Sequence, residues 1–179
     1  MLKIHIPSTE LFDESTNRFI AIHGRDLQLE HSLVSISKWE SKWKKPFLGN
    51  TKKSREETID YVRCMTTTQN VDPEVYLGLT DENIEDVNRY IDDSMTATTF
   101  KNNARRPNRQ VVTSEVIYYW MISLGIPMEC QRWHLNRLLT LVRVCDEKNK
   151  PAKNKSRKDV MAENRALNQM RRAKSGSRG

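Results

Sequence analysis

Hydrophobic positions alternate at the start of the chain: Leu2, Ile4 and Ile6 fall on one side and Lys3 and His5 on the other, the period-two pattern of a half-buried strand that Pro7 closes. Phe19–Ile22 is a second β-like run, set off by the polar stretch Asp13–Asn17, so a small N-terminal β-hairpin is predicted, ending at Gly24. From Leu29 the period becomes helical. Leu29, Leu33, Ile36 and Trp43 stand at i, i+4, i+7 and i+14, with Trp39 one turn before Trp43, in a helix that stops before Pro46 and carries Lys38, Glu40, Lys42 and Lys44 in its last turns. Ser54-Arg-Glu-Glu57 has the form of a capping box for a helix through Ile59, Val62 and Met65. Asp72-Pro73 pairs an N-cap with a proline at the first helical position, ahead of Val75, Tyr76 and Leu79. Thr80 then caps a helix with Ile84, Val87 and Ile91 inward and Asp81 and Glu82 in its positively polarised first turn.

The densest apolar stretch is Thr113–Cys145, which holds two of the four tryptophans and two of the three cysteines. It reads as two helices joined at Gly125-Ile-Pro127: the glycine suits a left-handed position after the first helix, and the proline opens the second. Thr113 and Ser114 compete as N-caps of the first. Stepping the second helix at 100° per residue spreads Cys130, Trp133, Leu135, Leu138, Leu139, Leu141, Val142, Val144 and Cys145 over an arc of roughly 240°. His134 and Arg137 fall inside that arc, so each requires a partner if buried, with Glu30, Glu40 and Glu115 as candidates. The fold class predicted is mainly α: a single helical domain over residues 1–145, built on a central helical hairpin with a small N-terminal β-hairpin, followed by a basic tail over 146–179.

Charge sharpens that division. The chain of 179 residues has a net charge of +7, and residues 146–179 carry 11 Lys/Arg against 4 Asp/Glu, so the whole excess lies in the tail and the body is balanced at 19 of each sign. Asp146–Lys155 reads as a charged linker; Ser156-Arg-Lys-Asp159 caps a thin amphipathic helix whose stripe is Val160, Leu167 and Met170. Three readings of the tail compete: a solvated, partly disordered end with no specific role, a partner helix that uses this stripe, and a nucleic-acid contact. Lys153, Lys155, Arg157, Lys158, Arg171 and Arg172 suit phosphates, but no aromatic residue accompanies them, which limits nucleic-acid contact to a non-specific, salt-sensitive kind.

Catalytic patterns are missing. Gly49–Ser54 lacks the second glycine of a phosphate loop, and neither a nucleophile elbow, a zinc-protease helix motif nor a dinucleotide fingerprint occurs. Cys130 and His134 are four apart, but no second pair stands at ligand spacing, and Cys64, Cys130 and Cys145 read as buried free thiols. No catalytic residue, metal or cofactor is therefore predicted. There is no apolar run of about 18 residues and no signal-type apolar core of roughly 7–15 residues, which predicts a protein kept in the cytosol. Trp120 and Trp133 are expected in the core, and Trp39 or Trp43 at a partner surface.

Several strings carry a resemblance: LEHSLVSISKWESKWKKPFL at 29–48, DYVRCMT at 60–66, TATTF at 96–100, SEVIYYWMISLGIP and WHLNRLLTLVRVC across 114–145. They are similar to a family of small proteins encoded among the structural genes of tailed bacteriophages, most like the tail assembly chaperones, over nearly the whole chain. The resemblance implies a non-catalytic, largely helical protein of the host cell cytoplasm. It implies binding to the tape-measure protein and recruitment of tail-tube protein, and leaves self-association and a frameshifted longer form open. The alternative is a basic-tailed DNA-packaging or head-tail junction protein that binds nucleic acid.

Overall fold

The computed structural model describes residues 1–13, 17–49, 52–100, 111–150 and 157–175, with backbone alone at Asp13 and 157–160. It divides into two units, Met1–Asp146 and Glu147–Gly179. The described chain is mainly helical, with β-structure confined to the N-terminus.

Four strands come first: β1 (Leu2–Ile6), β2 (Thr9–Asp13), β3 (Arg18–Ile22) and β4 (Arg25–Leu29). β1 pairs antiparallel with β4, and β2 with β3; in both ladders the numbers of paired residues total 31, so one register runs through a single interrupted ribbon. The interruption falls where Pro7 faces Gly24. Proline has no N–H to give the ladder, and the Gly24 N–H is taken instead by Ser8 Oγ at 2.8 Å. The predicted hairpin thus needs correction: Phe19–Ile22 pairs with Thr9–Asp13, and Leu2–Ile6 pairs with a strand the helical reading of Leu29 concealed. In Arg25–Leu29 the alternation puts Leu27 and Leu29 inward with Ile4 and Ile6.

Helix α1 (Leu33–Trp43) starts only after this strand, with Ser32 and Ser35 forming a reciprocal capping box, and ends at Lys44 in a left-handed conformation with φ 54°. Helix α2 (Arg55–Met65) begins at the predicted Ser54/Glu57 box and packs on α1. The chain leaving α2 extends the sheet edge, Glu30 N–H donating to Met65 O and Thr67 N–H to Gln28 O at 2.9 and 2.8 Å. A 3₁₀ turn at Pro73–Gly78, capped by Asp72, lies against β3 and β1. Helix α3 (Asp81–Asp92), boxed by Thr80 and Asn83, packs on β1, where Asn83 Nδ2 also donates to His5 O at 3.2 Å.

Helix α4 (Ser114–Ser123) packs on α1. It closes as its sequence predicts: Gly125 has φ +65°, and buried Ile126 returns its N–H to Met121 O at 2.8 Å. The second helix differs from the prediction. Pro127 opens a 3₁₀ turn at Met128–Arg132, and helix α5 (Leu135–Asn149) starts only at Leu135. The break has a cause in the opposite part of the chain: His134 bridges Ser32, and the Leu135 N–H donates to His31 O at 2.7 Å, holding Trp133–His134 extended. Since α2, α4 and the 128–132 turn all pack on α1, that helix occupies the position the hairpin was expected to hold. Beneath it Leu29, Leu33, Ile36, Ile117, Met121, Leu135 and Leu138 are fully buried. In the second unit, helix α6 spans Arg157–Ser175. Among the described residues no helix is long and apolar enough to cross a membrane.

Candidate partner-binding groove

Trp39 and Trp43 are one turn apart on α1 and their rings stack, with centroids 6.1 Å apart and planes 28° from parallel. Their roles divide sharply. Trp39 is 1% exposed, meets Phe47 edge-on at 5.2 Å, and donates its Nε1–H to Glu57 O at 2.9 Å. It is a core residue, which corrects its candidacy for a partner surface: a wholly enclosed ring with its one donor satisfied has nothing left to offer. Trp43 is half-buried and donates Nε1–H to Asp60 Oδ2 at 2.8 Å. The ammonium groups of Lys42 and Lys45 lie 5.6 and 5.9 Å from its ring centroid.

Trp43 borders a groove made of two adjoining cavities of about 340 and 350 Å³, which share Lys42, Asp60 and Arg63. One half is cationic, adding Lys38 and Cys64; the other is largely apolar, adding Trp43, Ile59, Pro73, Tyr76 and Leu77, with Glu56 at its edge. Helical spacing assembles it. Lys38 and Lys42 are i, i+4 on α1, Ile59 and Arg63 are i, i+4 on α2, and Asp60 and Cys64 likewise. The 3₁₀ turn supplies Leu77, an aliphatic side chain left 47% exposed.

The groove's buried carboxylate is already engaged: Asp60 forms an ion pair with Lys42 through one oxygen and accepts from Trp43 through the other. Among the described residues no carboxylate lies within ion-pair distance of Lys38 or Arg63. With Lys38, Lys42 and Arg63 against Asp60 and Glu56, the lining keeps a net charge of +1. Burial, then the neighbouring Asp60 charge, pushes the Cys64 thiol up to about 11, so it remains a protonated, unreactive lining group. The next ion pair along, Lys45 with Glu57, helps hold the Glu57 carboxyl below its ordinary range together with the Ser54 N–H. What this surface provides is a set of contacts for something apolar beside something anionic.

The remaining sequence candidates lie elsewhere. His134 is buried and satisfied, its Nε2 2.9 Å from Tyr90 O and its Nδ1 accepting from the Asn136 N–H at 3.3 Å. None of the three glutamates named as partners is used. Arg137 is exposed, not buried as its place in the apolar arc suggested, and its guanidinium lies 4.3 Å over the Trp133 ring. On α5 Arg137 stands about 200° around the axis from Leu135, opposite the face that buries Leu135, Leu138 and Val142. Trp120 and Trp133, expected in the core, are half-buried. On α6, Leu167, Met170, Arg171 and Arg172 are exposed; Arg157, Lys158 and Val160 are on the same helix with undescribed side chains, and Lys153 and Lys155 lie outside the described residues. Sequence reading missed Arg63, Tyr76 and Leu77 as groove residues, because their meeting depends on how the 3₁₀ turn lies beside α2. Among the described residues no cluster of three His, Cys, Asp or Glu side chains could hold a metal ion. No family model, curated protein or solved structure matches this chain.

Proposed function

We propose that this chain is a non-catalytic, protein-binding assembly factor: a tail assembly chaperone of a tailed bacteriophage, working in the host cell cytoplasm, that engages the tape-measure protein and assists tail-tube assembly. The resemblance of residues 29–48, 60–66, 96–100 and 114–145 supplies the class. The observation that supports a binding role is the groove beside Trp43, where an apolar strip and uncompensated cations adjoin a thiol held protonated. Such a surface suits a protein segment. In this reading the Thr113–Cys145 stretch is scaffold, since its exceptional residues, His134 and Arg137, are absorbed by Tyr90, Asn136 and Trp133.

Co-expression of the chain with the tape-measure protein of the same phage tests this. The two should co-purify after nuclease treatment, and Leu77→Asp, on an exposed turn, should weaken the association without lowering the melting temperature. Absence of a complex would reject the reading. A second reading, nucleic-acid binding by the tail, draws on the exposed Arg165, Arg171, Arg172 and Lys174 of α6. Salt-dependent DNA retention lost with the tail, in a chain that fails to bind the tape-measure protein, would favour it.

A further inference from the structure

We propose that the Trp43 groove takes an acidic amphipathic helix of a partner protein, seating an aliphatic side chain against Ile59, Pro73 and Leu77 and directing carboxylates one turn away to Lys38 and Arg63. This rests on the protein-binding reading above and names the chemistry of the partner segment. Three observations carry it.

The first is charge. Asp60 is consumed within the fold by Lys42 and Trp43, and Lys38 and Arg63 make no ion pair among the described residues; with Glu56 at the rim the lining holds three cations against two carboxylates, a net charge of +1. Complementary potential across an interface selects acidic partners and penalises basic ones. The second is the joining of the two halves. The cationic and the apolar cavity share three residues, so one extended ligand reaches both. A helix does so naturally, because residues three and four apart lie on one face about 5–6 Å from each other. A free phosphate or carboxylate would meet only side chains on exposed stems, which hold small anions weakly, and would leave Leu77 uncovered.

The third observation concerns Trp43 itself. Its ring is backed by Trp39 at 6.1 Å and attended by two lysine ammonium groups. A nucleic acid would need an open aromatic face for its bases to stack on. Beside it the apolar lining offers Ile59, Pro73 and Leu77, aliphatic contacts that fit leucine or isoleucine.

The test uses the full chain and a fluorescent synthetic helix of about 15 residues, long enough to be helical, with leucine on one face flanked by glutamate. The control peptide replaces each glutamate with lysine, and an unlabelled oligothymidylate serves as competitor. We expect saturable binding of the acidic peptide, weakened by salt, and no binding of the basic one. The K38E/R63E variant, altered only at exposed positions, should keep its melting temperature, bind the acidic peptide about tenfold or more weakly, and gain affinity for the basic peptide. Equal binding of both peptides, no binding of either, or displacement by the oligonucleotide would overturn the proposal. So would concentration-dependent self-association abolished by K38E/R63E, which would make a second copy the occupant. Failure here is separable from failure of the chaperone reading: a tape-measure complex that forms equally well with K38E/R63E removes this inference and leaves that function standing.

Discussion

At the scale of single residues, two buried polar groups carry long-range consequences. Glu40 sits on α1, yet its Oε2 accepts the Ser114 N–H at 2.7 Å and its Oε1 accepts the Phe47 N–H at 2.7 Å. Thr113 occupies the N-cap of α4 without a side-chain capping bond, so a carboxylate 74 positions earlier in the chain does the work that local sequence assigned to Thr113 and Ser114. In Glu40→Gln one oxygen becomes an amide donor facing an N–H. We expect a loss of about 2–3 kcal/mol in urea unfolding and faster hydrogen exchange at Ser114; an unchanged midpoint would refute the capping role. His31 is the second such group. Its Nδ1 lies 2.5 Å from Tyr61 Oη and its ring 5.1 Å from that of His134. Burial, with His134 adding to it, lowers its pKa from 6.5 to about 3. The folded chain therefore binds fewer protons here than the unfolded chain, so stability is full above pH 6.5 and falls as the pH drops through the window to about 3, by up to about 1.4 kcal/mol per unit. Between pH 6.5 and 5, above the carboxylate range, wild-type stability should decline more steeply than that of His31→Gln. Parallel slopes in denaturant titrations would show that another group is responsible.

At the scale of elements, legibility followed the range of the interactions. The Ser54/Glu57 and Thr80/Asn83 caps, the Asp72-Pro73 start and the Gly125 termination are made by neighbours within one turn, and the local sequence announces each. The groove was legible only at Trp43, whose place near the end of α1 local sequence shows, whereas Lys38, Arg63 and Leu77 are brought to it only by the packing of α1, α2 and the 3₁₀ turn. β4 was misread because a five-residue strand ending in Leu29 abuts a helix beginning at Leu33, and the i, i+4 spacing of those leucines imitates one continuous helix. The ribbon also imposes a steric demand. Gly78 ends the 3₁₀ turn beneath it, where an added Cβ would come within 3.0 Å of Ile6 Cγ2 and 3.2 Å of Ile22 Cγ2. Both isoleucines are buried, so neither can swing aside. Gly78→Ala should cost about 1–3 kcal/mol by overpacking, and Ile22→Val in the same chain, which removes the Cδ1 that the new Cβ would meet at 3.3 Å, should recover part of it. Additive losses in the double variant would mean the two sites do not touch.

At the scale of the whole chain, the governing fact is that folding information and net charge are segregated. The hydrophobic core lies within Met1–Asp146, where opposite charges nearly balance, while the excess positive charge belongs to the segment that contains α6. Leu167 and Met170 are exposed on α6, so the apolar stripe that the tail's sequence displays remains open within its own unit. Two kinds of association should therefore separate genetically. A chain ended at Lys150 retains α5 complete, including Val142, the last buried hydrophobic residue of the helix. It should unfold at the same urea midpoint as the full chain and bind the acidic helix undiminished. Retention on a polyanion column should fall, because that property scales with the number of phosphate-pairing cations and with low salt. The opposite pattern, polyanion binding preserved and peptide binding lost, would locate recognition in the tail and reassign the cations of α1 and α2 to solvation alone.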